Sequence, residues 1–142
     1  MTKENSSKRK QKGSSSKKKN QVSIVEIHIN MSFNNIIASI TDLSGNVLAW
    51  SSGGKMGFKG SRKATPHSAN LVIKNAMTTA LDGYNFKSIK TIKVIGICPS
   101  RDSAIRSVMD FALTKNMPSI ESIIDQTPIP HNGCRPPKKR RV

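Results

Sequence analysis

A chain of 142 residues with 24 Lys and Arg against 8 Asp and Glu has a formal charge of +16 and a pI of about 10.4, and 35% of it is apolar. That length allows one modest core, and no apolar run approaches the roughly 20 residues of a membrane span or follows the charged N-terminus as a signal peptide would require. Cys98 and Cys134 form no CxxC, and the single His131-x-x-Cys134 pair lacks further ligands, so neither a disulfide scaffold nor a metal or cofactor site is expected.

The charge is unevenly spread. The terminal stretches 1–20 and 135–142 hold 13 of the 24 cations with only Glu4 against them, while the middle has 11 cations and seven acids. Residues 1–21 combine Lys, Ser and Gln with almost nothing that could be buried, so they are expected to form a disordered basic tail. Residues 22–127 are expected to be the folded domain and residues 128–142 an extended basic arm.

Val25, Ile27 and Ile29 alternate with Glu26, His28 and Asn30, which predicts a half-buried strand over 22–29. SFNN (32–35) turns the chain into a β-branched strand over 36–42, and Ser44-Gly45-Asn46 turns it again into a third strand over 47–51. The stretch from 51 to 66, SSGGKMGFKGSRKATP, holds four glycines and four cations; with no acid in it, it predicts an irregular cationic loop. Thr65 as N-cap with Pro66 at N1 opens a helix, whose apolar stripe Ala69, Val72, Ile73, Ala76, Met77 and Ala80 runs until Gly83 closes it. Ile89, Ile92, Val94 and Ile95 predict a fourth strand. Ser100 can cap a second helix with Ala104, Ile105, Val108, Met109 and Ala112 buried, and Ile120, Ile123 and Ile124 offer a last strand. A meander followed by helix, strand, helix and strand predicts an α/β fold: a mixed five-stranded sheet with two main helices and right-handed crossovers.

Two constellations point to a polyanion. In the Gly-rich loop, glycines let backbone N–H groups approach an anion while Lys55, Lys59, Arg62 and Lys63 neutralise it; no GxxxxGK[ST] is present, and so many cations suit an extended polyanion better than one nucleotide. Phe58 either stacks on a base or pins the loop to the core. The ending HNGCRPPKKRRV (131–142) sets clustered cations after two prolines that hold the chain extended. It suits a groove between RNA helices, and PPKKRRV also resembles a nuclear-import signal, which leaves a nuclear nucleic-acid-binding protein as the alternative. The middle acids (Glu26, Asp42, Asp82, Asp102, Asp110, Glu121, Asp125) are dispersed, and a ribonuclease H-like nuclease would need several carboxylates on adjacent strand ends, so no catalytic residue is expected.

SFNN, Trp50-Ser51-Ser52, GFKGSRK (57–63) followed by Thr65-Pro66, and above all TPIPHNGCRPPKKRRV (127–142) resemble the small-subunit ribosomal protein S eleven family from about residue 26 to the end. The resemblance implies a ribonuclease H-like α/β domain without catalysis, bound to rRNA in the platform of the small subunit near the mRNA exit and E site. It implies RNA contacts at Asn34, Asn35, Lys55, Phe58, Lys59, Arg62 and Lys63, at the retained Arg101, and in the arm at His131, Asn132, Arg135, Lys138, Lys139, Arg140 and Arg141. It further implies platform neighbours of the S six, S eighteen and S seven types with mRNA nearby, and no homo-oligomer. Where the family has a turn of the type GPGxGR, this chain has GICPSR (96–101) and keeps Gly96 and Arg101 alone. The helix after it is still expected, but a close backbone approach to RNA at that turn is not carried over. The ending resembles bacterial or organellar members, and abundant Lys, Ile and Asn suit AT-biased codons; a ribosome in an organelle or a bacterial cytoplasm is the expected location.

Overall fold

Alternation along the first strand sets the whole arrangement. In the computed structural model, which describes residues 22–118 and 120–138, β1 (Ile24–Met31) buries Val25, Ile27, Ile29 and Met31 on one face and turns Glu26, His28 and Asn30 to the other. β2 (Ile36–Thr41) and β3 (Val47–Ser52) follow as an antiparallel meander, with Ile29 opposite Ala38 and Ile40 opposite Ala49. β4 (Ser88–Ile95) and β5 (Ser122–Asp125) add parallel on the other side of β1, giving the order β3-β2-β1-β4-β5. This is the expected mixed five-stranded sheet, and its order and strand directions are those of the ribonuclease H-like class. The disordered tail expected over residues 1–21 lies outside the described residues.

Two helices pack together and cover the face that β1 buries. α1 (Pro66–Tyr84) lies against β2 and β3 and buries Ala69, Val72, Ile73, Ala76, Met77 and Ala80, the predicted stripe. Small residues there let the helix come close to the sheet, while Ile27, Ile29, Ile36, Ile40 and Ile92 supply bulk from below. Each such fully buried aliphatic side chain stabilises the fold by about 1.5–3 kcal/mol. α2 (Arg101–Thr114) packs on α1 and buries Ala104, Ser107, Val108 and Ala112.

Four local expectations need correction. Gly83 does not close α1: the helix passes through it to Tyr84 and ends at Asn85, whose N–H still donates to the Leu81 carbonyl at 3.0 Å while its left-handed φ of 50° turns the chain out of the helix. An isolated helical glycine costs only about 1 kcal/mol against Ala, so it does not stop a helix by itself. The Gly-rich loop is not wholly irregular, because Gly60–Ala64 winds into one 3₁₀ turn. Met109 is not in the buried stripe of α2, being 38% exposed. The inward position goes to Ser107, whose hydroxyl donates to the Asn70 side chain and so joins the two helices. The last strand starts at Ser122 rather than Ile120, and as a sheet edge it leaves Ile123 and Ile124 exposed.

Candidate nucleic-acid interface

In a sheet of this order, the loops after β1, β3, β4 and β5 all emerge at one end. β1 ends at Met31 beside the start of β2 at Ile36, β3 ends at Ser52 beside Ile37, and β4 and β5 end together at Ile95 and Asp125. The turn at Ser32–Asn35, the Gly-rich loop, the 96–101 turn and the base of the C-terminal arm therefore share this end. In open α/β sheets this is where ligands bind. Asp42 lies past the far end of β2, opposite to Asp125, so these two acids are held apart by the length of the strands.

The Ser32–Asn35 turn closes on itself, with the Ser32 N–H donating to the Asn35 carbonyl at 2.9 Å and the Asn35 N–H to Ser32 Oγ at 3.1 Å. Asn34 is exposed at its tip; Asn35 is half-buried, and its Oδ1 faces Gly53. Gly53 is the keystone here. A Cβ on it would sit 2.9 Å from Asn35 Oδ1 and 2.9 Å from the Lys63 carbonyl, so only glycine lets the hairpin turn, the end of β3 and the 3₁₀ turn close together.

Beyond Gly53 the loop presents its cations individually. Lys59 and Arg62 are exposed and Lys63 is half-buried. Lys55 folds back: its Nζ donates to the Trp50 carbonyl at 2.9 Å and stands 4.6 Å from the centre of the Trp50 ring. Phe58 is half-buried with its ring edge-on to His67, centroids 6.1 Å apart. The 3₁₀ turn is fastened to α1 through its carbonyls. Thr65 Oγ1 donates to the Arg62 carbonyl at 3.0 Å and accepts from the Ser68 N–H at 3.3 Å, and Ser68 Oγ donates to the Lys63 carbonyl at 2.9 Å. With their backbone so held, Arg62 and Lys63 project from a fixed base.

Arg101 is not a free cation. Its guanidinium meets Asp125 at 2.7 Å, and Asp125 also accepts from the Thr127 hydroxyl at 2.6 Å and the Thr127 N–H at 2.9 Å. Thr127 first and Arg101 after it hold the Asp125 carboxyl down to about 2, against an ordinary 3.8. Because the folded value is the lower one, the contribution of this carboxylate is fully present above about pH 4 and is lost as pH falls through about 2. A carboxyl-detected NMR titration should give a midpoint near 2 for Asp125; a midpoint at 3.8 would mean that the contacts do not form in solution. In the arm, His131, Asn132, Arg135 and Lys138 are exposed, and Asn132 has a left-handed φ of 56°. Lys139, Arg140 and Arg141 lie outside the described residues.

Sequence reasoning missed three parts of this end: the Lys55–Trp50 stack, the closing role of Gly53, and the links made by Cys98, Ser100 and Thr127. The Trp50-x₄-Lys55 spacing carries a weak signal, since a strand end followed by a tight turn can return a long cation over an aromatic ring. Ser100 was expected to cap α2. Its side chain makes no cap bond: the buried hydroxyl is turned instead toward the Ala64 carbonyl, to which it donates at 3.1 Å. Among the described residues, no group of three or more His, Cys, Asp or Glu could hold a metal ion, and no helix is long and apolar enough to cross a membrane.

Fold and site together define an α/β domain of ribonuclease H-like strand order whose loop end carries cations, with its Asp125 carboxylate already paired. The sequence model of the family described as Ribosomal protein S11 matches residues 25–141. The chain is 50% identical over 115 residues to a Small ribosomal subunit protein uS11 of Stenotrophomonas maltophilia strain K279a, covering 81% of this chain and 84% of the relative. It is likewise 50% identical over 115 residues to the protein of the same name from Xanthomonas campestris pv. campestris strain B100, covering 81% and 83%. This chain belongs to the ribosomal protein S11 family.

Proposed function

We propose that the protein is a non-enzymatic structural constituent of the small ribosomal subunit that binds rRNA in the platform, near the mRNA exit and E site. The observation that carries this reading is the gathering of the Gly-rich loop, the Asn34–Asn35 turn and the base of the basic arm at one end of the sheet, in a chain half identical to uS11 proteins. The folded domain sets position; the loop and the tails neutralise phosphates. Contacts of this kind fix register on a folded RNA without reading its sequence. Asn34, Asn35, Phe58, Lys59, Arg62 and Lys63 would meet the RNA from the domain, with Lys55 and Arg101 at its margins. His131, Asn132, Arg135 and Lys138 to Arg141 would meet it from the arm.

The neighbours on this reading are rRNA, other platform proteins of the S six, S eighteen and S seven types, and passing mRNA. The location is the ribosome of a bacterial cytoplasm or an organelle. Sedimentation of the native protein from a lysate tests the assignment: it should travel with small subunits and leave them only at high salt. Sedimentation with chromatin instead, or as free protein at physiological salt, would overturn it in favour of a nuclear binding role.

A further inference from the structure

The turn GICPSR (96–101) is bonded to two separate cationic elements at once. Toward the Gly-rich loop, the buried Ser100 hydroxyl donates to the Ala64 carbonyl at 3.1 Å, and the buried Cys98 thiol lies 3.9 Å from that same carbonyl and 3.0 Å from Ser100 Oγ. Ala64 is the last residue of the 3₁₀ turn that carries Arg62 and Lys63. Toward the arm, the Gly96 N–H donates to Thr127 Oγ1 at 3.0 Å, and Thr127 and Arg101 both hold Asp125. The arm begins one residue later.

We propose that the 96–101 turn is a bracket that fixes the basic 3₁₀ turn and the root of the C-terminal arm relative to one another, with Ser100 and Thr127 as its positioning residues. This rests on the ribosomal reading above and says how the two cationic elements come to match one rigid RNA surface. Neither positioning residue is charged, so Ser100 and Thr127 themselves neutralise no phosphate. It removes a freedom that would otherwise be lost on binding, which is how pre-organisation raises affinity. Cys98 and Ser100 fill the turn with side chains bonded inward, toward Ala64.

The test uses the full chain with Ser100→Ala, with Thr127→Val, and with Thr127→Ser, which keeps the hydroxyl. Spin labels at Ser61→Cys and Ile129→Cys, in a Cys134→Ser background with Cys98 buried, report the distance from loop to arm root without any RNA. The distance distribution should be narrow in the parent and in Thr127→Ser, and broad in Ser100→Ala and Thr127→Val.

Affinity for a transcript of the platform region of the rRNA should fall about fivefold to tenfold in each of the two broad variants, the loss expected for one hydrogen bond. The slope of log affinity against log salt should stay unchanged, because no cation has been removed. A purely structural role would lower the melting temperature while leaving both the narrow distance and the affinity of the folded protein as they were. Narrow distances in all variants, or affinities within twofold of the parent, overturn the bracket. A parent that shows no salt-dependent affinity for the transcript overturns the ribosomal reading instead, while the label distances still decide the bracket.

Discussion

Gly96→Ala should be the most damaging single substitution in the domain. An added Cβ would stand 1.8 Å from the Met31 carbonyl oxygen and 2.9 Å from the Met31 carbonyl carbon, and Gly96 has a φ of +103° that side chains rarely adopt. The strained dihedral alone costs about 1–3 kcal/mol. The clash cannot be relieved by a rotamer, because it is with backbone. The ends of β1 and β4 would have to part, and the parallel pairing of Asn30 with Ile95 would be lost with them. The combined loss should exceed about 3 kcal/mol, which for a domain of this size lowers the melting temperature by more than about 12 °C. Gly45→Ala separates the two contributions. That glycine also has a positive φ, +88°, but nothing lies within 4 Å of its added Cβ, so it should lose only about 1–2 kcal/mol. Thermal unfolding followed by circular dichroism measures both; equal shifts for the two variants would refute the close approach at Met31.

Replacing Lys55, Lys59, Arg62 and Lys63 together by Gln should have the largest effect on binding. If the full chain neutralises about 6–10 phosphates, its affinity for the platform transcript falls about 10³- to 10⁵-fold between 50 and 200 mM salt. Four fewer contacts reduce the magnitude of the salt slope by about 3, which over the same range removes about two of those powers of ten. Fold stability should change little, since Lys59 and Arg62 project into solvent and the loop is anchored by the carbonyls of Arg62 and Lys63 rather than by their charges. Lys55→Gln alone should contribute least, because its ammonium is engaged by the Trp50 carbonyl and ring before any RNA arrives. A quadruple variant that keeps the full slope would place the phosphate contacts elsewhere, in the tails alone.

What could be read from the sequence, and what could not, follows from the range of the forces involved. The alternation of Val25, Ile27 and Ile29 and the helical stripe from Ala69 to Ala80 are local consequences of burying one face, so periodicity alone located β1 and α1. Short links and handed crossovers led to a mixed sheet, while its order, β3-β2-β1-β4-β5, comes from the structure. Ser100 is the instructive failure. Local rules make a serine before a helix a cap, but its hydroxyl bonds to a carbonyl 36 residues earlier in the chain, and no local pattern records that choice. Gly83 and Asn85 show the same limit at smaller range, since both suit a helix end and the structure uses Asn85, just before the buried Phe86. The loop cations and the arm were legible as chemistry from the outset. Their common placement became visible only when strand directions put the ends of β3 and β5 at the same end of the sheet.

Strand order also dictates a sequence of events during synthesis. β1, β2, β3 and α1 are contiguous in the chain and mutually packed, so the growing polypeptide can close this half, Gly-rich loop included, before the later residues have left the exit tunnel. β4 must then dock on the exposed side of β1, and β5 after it. The loop thus takes its shape first and the arm is latched last, once the final strand has emerged.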